Sequence, residues 1–230
     1  MESNSGLHVA IIPDGNRRWA KLKGMITKEG YSKSGSYENL KKLFDEARKM
    51  GVKYFSIWGF STENWKRDKG EIDYVMNLIF RGLKKFREEV SKEEIRFRHV
   101  GKKDRLPKEI VNEIEKLEKE SAHYKDFTVQ LCLDYGGRDE IIRAVNKIIK
   151  DGKRKVDEKS FASYLDTPEV PDPDLIIRTG EERRLSGFMP YQGAYAELYF
   201  SEKHFPDFGP KELREAVNEF SRRARRFGGN

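Results

Sequence analysis

Short apolar runs alternate along the chain with longer segments in which apolar residues recur every three or four positions, the pattern of strands alternating with helices. The first run is 8–13, and 54–60 reads as a buried strand. Between them Ser36 is placed to cap a helix whose apolar face is Leu40, Leu43, Phe44 and Ala47, with Gly51 as its stop. A long amphipathic helix over about 71–90 turns Ile72, Val75, Met76, Ile79, Leu83 and Phe86 inward. Residues 95–100 alternate like a strand, and Pro107 suits the first turn of a helix that uses Ile110, Ile114 and Leu117. A strand over 127–133 precedes a helix with Ile141, Ile142, Val145, Ile148 and Ile149 on one side. Runs at 175–178 and 197–200 complete the sheet, and Pro210 opens a last helix through Leu213, Val217 and Phe220. The order predicts an α/β fold, one mostly parallel central sheet flanked by helices. In such a sheet ligands bind at the carboxyl ends of the strands, where most of the unusual residues of this chain fall.

No linker-like stretch divides the 230 residues, so 1–230 is read as a single domain. Hydrophobic residues make up 37%, enough to fill a core, and the equal share of charged residues implies solvated helix faces. The one cysteine, Cys132, sits mid-strand; it rules out an intrachain disulfide and fits a reducing cytoplasm. No apolar stretch approaches a membrane span, and 1–7 lacks the features of a signal peptide, so a soluble protein is expected. The formal net charge of +7 leaves nucleic acid, an anionic membrane surface and anionic substrates open as partners.

The segment from His8 to Ala20, HVAIIPDGNRRWA, reads as strand, tight turn and helix. Gly15 lets the backbone bend and approach a ligand. A helix starting near Asn16 offers free N–H groups to an anion, and Arg17 and Arg18 add charge. Asp14 is out of place facing a bare phosphate but fits if Mg²⁺ lies between, since that ion takes one or two carboxylates plus phosphate oxygens. Taken alone, the segment reads better as an Asp-Gly turn before an ordinary helix. It has neither the Walker spacing nor the Gly-x-Gly-x-x-Gly turn.

Four further segments follow in order: Phe60-Ser61-Thr62-Glu63-Asn64-Trp65-Lys66-Arg67; Asp134-Tyr135-Gly136-Gly137-Arg138; Asp174-Leu175-Ile176-Ile177-Arg178-Thr179-Gly180 with Arg183, Arg184, Leu185, Ser186 and Phe188; and Ala194-Tyr195-Ala196-Glu197-Leu198-Tyr199-Phe200. Together with the first segment they resemble the cis-prenyltransferases, the undecaprenyl diphosphate synthase family, over nearly the whole chain. The resemblance implies that fold, with a hydrophobic product tunnel, and a Mg²⁺-dependent condensation of isopentenyl diphosphate with an allylic prenyl diphosphate, farnesyl or geranylgeranyl. The product implied is a Z-polyprenyl diphosphate, a precursor of lipid glycosyl carriers. It further implies a cytoplasmic homodimer with peripheral membrane contact for release of a lipid product.

By the same resemblance Asp14, Gly15, Asn16, Arg17, Arg18 and Trp19 hold the allylic diphosphate and its metal, with Glu197 as second metal ligand from the same or a neighbouring subunit. Arg178, Arg184, Leu185 and Ser186 bind isopentenyl diphosphate, chemistry suited to two guanidinium forks and a hydroxyl. Phe60, Ser61, Thr62, Asn64, Trp65 and Arg67 belong to the segment that closes over the substrates, Asn64 and Ser61 being catalytic candidates beside Asp14. Trp65 reads equally as core. Arg226, in the Arg226-Phe227-Gly228 tail, reaches the partner subunit's site. The tunnel is sought between the faces of 72–86 and 40–47, where core and tunnel have the same sequence pattern; Gly59 leaves room for a long product.

The chain departs from the family pattern at several places. Gly30-Tyr31, preceded by Thr27 and Lys28, stands where Gly-His with an upstream Arg is common; Lys28 is the candidate replacement, and Tyr31 donates a hydrogen bond but carries no charge near neutral pH. Asp134 replaces a usual Asn, and Arg183 a common His. Pro13, Gly30-Tyr31 and the Arg17-Arg18 pair lean toward archaeal members. These departures bear on the second substrate, leaving open condensation of two allylic diphosphates or use of another acceptor. A non-catalytic partner subunit is disfavoured by Asp14, Arg178 and Glu197. Nucleic-acid binding is disfavoured because the arginines sit at motif turns and no zinc or RNA-binding signature appears.

Overall fold

A computed structural model describes residues 6–223. Six strands form one sheet: β1 (Leu7–Ile12), β2 (Val52–Ser61), β3 (Ile95–Val100), β4 (Phe127–Tyr135), β5 (Leu175–Arg178) and β6 (Glu197–Phe200). The order is β3-β4-β2-β1-β5-β6, and each neighbouring pair is parallel. Strands buried on both faces require continuous apolar runs, as in the sequences LHVAII and LIIR of β1 and β5.

Successive side chains of a strand point to opposite faces. Val9 and Ile11 of β1 accordingly join the larger core, while Ala10 and Ile12 join a smaller one with Cys132, Ile176, Phe188 and Met189. The larger core is covered by α3 (Tyr37–Lys49), α4 (Lys69–Glu93), α5 (Lys108–Ser121) and α8 (Pro210–Arg222). Ser36 caps α3 as expected, its side chain accepting the Asn39 N–H, and Gly51 follows with φ +77°. Helix α4 is longer at both ends than its apolar pattern, because Asp68 accepts the Glu71 N–H at its start and Glu94, in the left-handed region, ends it.

Further helices are α1 (Asn16–Leu22), α2 (Thr27–Gly35), α6 (Gly137–Lys150) and α7 (Glu158–Ala162). α6 departs from its expected packing. Ala144 and Ile148 are buried, but Ile142, Val145 and Ile149 are 61%, 39% and 67% exposed. Its apolar arc is wider than one packed face, and the spacing of three and four residues puts these side chains in a stripe on the outer side.

β1 lies between β2 and β5, so the chain leaves β1 toward one side of the sheet and returns to its other side later. This is the switch point at which the crevice beyond the strand ends opens. Asp14 follows β1, Arg178 ends β5 and Ser61 ends β2, so this one crevice receives residues from three of the motif segments.

Candidate active site

The site is built on the β1–β5 register, in which Ile12 pairs with Arg178. Past Ile12 the chain turns back: the Asp14 N–H reaches the Ile12 carbonyl at 3.0 Å and the Thr179 hydroxyl at 2.8 Å, and that hydroxyl also lies 2.8 Å from the Asp14 carbonyl. Gly15 follows with φ +96°, and a Cβ there would lie 2.6 Å from His204 Nδ1, so only glycine fits the bend. Gly180, at φ +83°, likewise lets its loop approach the Asp14 backbone.

These turns bring the Asp14 carboxylate and the Arg178 guanidinium into direct contact. Arg178 Nη2 donates to Asp14 Oδ2 at 2.7 Å, and Arg18 Nη2 lies 3.3 Å from the same oxygen. Asp14 Oδ1 accepts the Gly15 N–H at 2.6 Å. Burial works to raise the Asp14 pKa, but the Arg178 hydrogen bond, the Gly15 N–H and the charges of Arg178 and Arg18 outweigh it and hold the carboxyl below its usual range. Arg178 is buried; its Nη1 donates to Ser186 Oγ at 2.7 Å and to the Arg184 carbonyl. Ser186, at φ +52°, is turned toward it by a loop that also carries Glu181 at φ +70°.

These groups line the polar end of a cavity of about 1330 Å³. Asp14, Gly15, Asn16, Arg17, Arg18 and Tyr31 reach it from one side, and Arg178, Arg184 and Ser186 from another. Ser61, Asn64 and Arg67 come from the end of β2 and the 3₁₀ turn Thr62–Lys66, in which Asn64 Oδ1 accepts the Ser61 N–H at 3.1 Å. The cavity then runs between the larger-core face of the sheet and helices α3 and α4, lined by Leu40, Phe44, Leu83 and Phe86 and by Val129 and Leu131 of β4. That is where the helix faces at 40–47 and 72–86 place a tunnel.

Other candidates support the cavity without lining it. Phe60 is buried in the core with Trp65 edge-on at 5.1 Å, and Trp65 Nε1 donates to Asp134 at 2.9 Å. Trp19 is buried and donates to Asp207 at 2.8 Å, fixing α1 against the segment Phe205–Asp207. Leu185 packs in the smaller core, Thr62 lies against Gly136, and Lys28 sits over the Tyr74 ring. Glu197 is not brought to Asp14 within the chain. It opens β6 level with Leu175 and hence with Val9, so it lies at least about 10 Å along the strands and about 10 Å across them from Ile12. It is paired instead with Arg223 at 2.8 Å. Arg226 lies outside the described residues.

The sequence reading missed Thr179, which pins Asp14; the signal was a hydroxyl between an arginine and a glycine at a strand end. It also missed Glu182, which pairs with Arg18 and Arg184 at the mouth, and Glu71. Tyr31 donates to Glu71 at 2.8 Å and accepts from Arg67 at 3.0 Å. Burial raises the Tyr31 pKa to about 12, so its phenol stays neutral.

The family described as putative undecaprenyl diphosphate synthase matches residues 12–228. The chain belongs to the cis-prenyltransferase family. An isoprenyl transferase of Fusobacterium nucleatum is 42% identical over 100% of this chain and 98% of its own, and one of Aquifex pyrophilus is 43% identical over 96% and 95%. A crystal structure of lavandulyl diphosphate synthase from Lavandula x intermedia, in complex with dimethylallyl diphosphate, superposes with a TM-score of 0.92 at 35% identity, covering 97% of this chain and 98% of that one. A probable undecaprenyl diphosphate synthase from Campylobacter jejuni gives 0.82 at 35% identity, over 98% and 99%. These isoprenyl transferase relatives are bacterial, against the archaeal leaning of Gly30-Tyr31. The cis-prenyltransferase is thus a transferase of prenyl chain elongation, with the single-domain α/β fold its motifs imply.

Proposed function

We propose that this cis-prenyltransferase condenses isopentenyl diphosphate with farnesyl or geranylgeranyl diphosphate, as one catalytic domain spanning 1–230, and makes a Z-polyprenyl diphosphate used as a lipid-carrier precursor. The observation that carries the reading is the cavity: an acid-and-guanidinium end continuous with an apolar body, about 1330 Å³ in all, above the ~300–1,000 Å³ usual for a small-molecule site.

In the reaction the allylic C–O bond breaks and the diphosphate leaves with the electron pair. The isopentenyl alkene attacks the allylic carbon, and a proton is lost to leave the new double bond. Two polyanions must sit side by side, so the work is mainly electrostatic and positional. Arg17 and Arg18 face the allylic diphosphate; Arg178, Arg184 and Ser186 hold the isopentenyl diphosphate. Arg67 and Asn64 cover the pair from the 3₁₀ turn, and Ser61 and Asn64 orient the groups between which the proton moves. The donor set fits Mg²⁺: Asp14, its carboxyl held below the usual range at the polar end of the cavity, is the carboxylate that would hold the ion, with phosphate oxygens and water completing its shell. When bound, the metal neutralises charge on the leaving group.

A homodimer fits the outer stripe of Ile142, Val145 and Ile149 on α6. Membrane contact fits the cavity mouth, where Leu22, Met25 and Ile26 are exposed beside Arg17, Lys21 and Lys23. A cytoplasmic setting fits the buried, unpaired Cys132.

Farnesyl and geranylgeranyl diphosphate, each incubated with isopentenyl diphosphate and Mg²⁺, should give a ladder of products differing by one isoprene unit on mass analysis. The likeness to a lavandulyl diphosphate synthase with dimethylallyl diphosphate favours a second reading, the joining of two allylic units. Product formed from dimethylallyl diphosphate with isopentenyl diphosphate omitted would replace the first reading by the second.

A further inference from the structure

Asp134 is a buried carboxylate that lines no part of the cavity. It lies next to last in β4, is 0% exposed and has φ +47°, a conformation that among non-glycine residues Asn and Asp adopt most readily. Three N–H groups converge on it. Trp65 Nε1 donates to Oδ1 and Arg105 Nε to Oδ2, each at 2.9 Å, and Arg105 Nη2 donates to Oδ1. The Arg105 guanidinium also sits 5.4 Å from the centroid of the Trp65 ring, closing a triangle of acid, cation and indole.

An isolated carboxylate in that position would be costly, because burial strips its hydration. The two-pronged arginine and the indole N–H offset the loss. A neutral Asn has one carbonyl acceptor and cannot hold the guanidinium fork and the indole together. Trp65 belongs to the turn Thr62–Lys66, whose neighbouring side chains Ser61, Asn64 and Arg67 do line the cavity. Trp65 is thereby gripped from two sides, by Phe60 on one and by the Asp134–Arg105 pair on the other.

We infer that Asp134, locked to Arg105, is a positioning residue: acting through Trp65, it fixes the Ser61–Arg67 turn against the cavity so that Asn64 and Arg67 meet the diphosphates. The inference rests on the function proposed above. It assigns a role to the aspartate where the family commonly has asparagine, and to Arg105, which no motif includes.

The test compares Asp134→Asn, Trp65→Phe and their double variant. Two readouts are taken, steady-state kinetics and calorimetric affinity for inorganic pyrophosphate, both at a temperature where circular dichroism finds every variant folded. Asp134→Asn should lower kcat/KM by about ten- to a hundredfold, the range that a small misplacement of catalytic groups produces. It should also weaken pyrophosphate binding several-fold. The double variant should be no worse than the more impaired single variant, because both substitutions cut the same link. Arg105→Lys keeps the charge without the fork and should fall between wild type and Arg105→Ala; this pair replaces the others if Asp134→Asn does not fold. Unchanged kinetics and pyrophosphate affinity in folded Asp134→Asn, or strictly additive losses in the double variant, would overturn the inference. If the wild-type enzyme makes no product from isopentenyl diphosphate, the proposed reaction fails, while the pyrophosphate series still decides the role of Asp134.

Discussion

Asp14 stands between two arginines, and the Arg178 hydrogen bond and their charges hold its carboxyl below the usual carboxylate range despite its burial. Asp14→Ala should cost at least ~10²–10³ in kcat, the usual loss for one group that stabilises transition-state charge, with the far-ultraviolet circular dichroism unchanged. Near-normal turnover at saturating Mg²⁺ would refute the assignment. Arg178→Ala should chiefly raise KM for isopentenyl diphosphate, and an effect confined to the allylic substrate would reverse the two subsites. Here the sequence marked turns that border the cavity but not which way each side chain points. Asp14, Arg178, Ser186 and Asn64 face the cavity, whereas Trp19, Phe60, Trp65 and Leu185, from the same motifs, pack behind it. A motif records neighbours along the chain, while exposure to the cavity depends on backbone direction and on partners such as Asp207 and Asp134 that lie far away in sequence.

Among the elements, every strand and the long helices were legible, because their apolar periods are sustained. Helix α2, TKEGYSKSG, was not, since glycine and serine interrupt any apolar period and its buried residues are Gly30 and Ser34. Helix α7 is five residues long and buries none of them. On α6 periodicity alone does not separate the packed side from an apolar side left facing outward. If that stripe joins two copies, Ile142→Ser/Ile149→Ser should shift the sedimentation-velocity mass from two chains to one. Melting of the separated chain should change little, because substitutions at exposed sites stay within about 0.5 kcal/mol. A wild-type mass of a single chain, or a double variant that stays dimeric, would remove α6 from the interface.

For the molecule as a whole, the cavity and the core share one set of apolar residues, which is why the sequence located the cavity's walls without separating cavity from core. Gly82 lines this space from the middle of α4, and a Cβ there meets nothing within 4 Å. Gly82→Phe should therefore shorten the product ladder with little loss of the first condensation, read by mass analysis. An unchanged ladder would mean that the chain grows elsewhere. Stability should also respond to two buried histidines. Burial lowers the pKa of His8 and of His99 to about 4. Below pH 6.5 the unfolded chain takes up protons that these folded residues refuse, so stability falls as pH drops from 6.5 toward 4, by up to roughly 1.4 kcal/mol per pH unit for each histidine. Thermal melts across that window should show the decline, and His8→Asn should lessen its slope by about half, leaving the share of His99; a constant melting temperature would contradict it.

The arrangement of the two substrates is read most directly from a crystal structure with a sulfur-bridged, unreactive analogue of farnesyl diphosphate, isopentenyl diphosphate and Mg²⁺. Both diphosphates should lie at the Asp14–Arg178 end, the allylic one on the Asp14 side, with the prenyl chain running between α3, α4 and the sheet. A prenyl chain lying outside that cavity, or diphosphates bound away from Asp14 and Arg178, would contradict it.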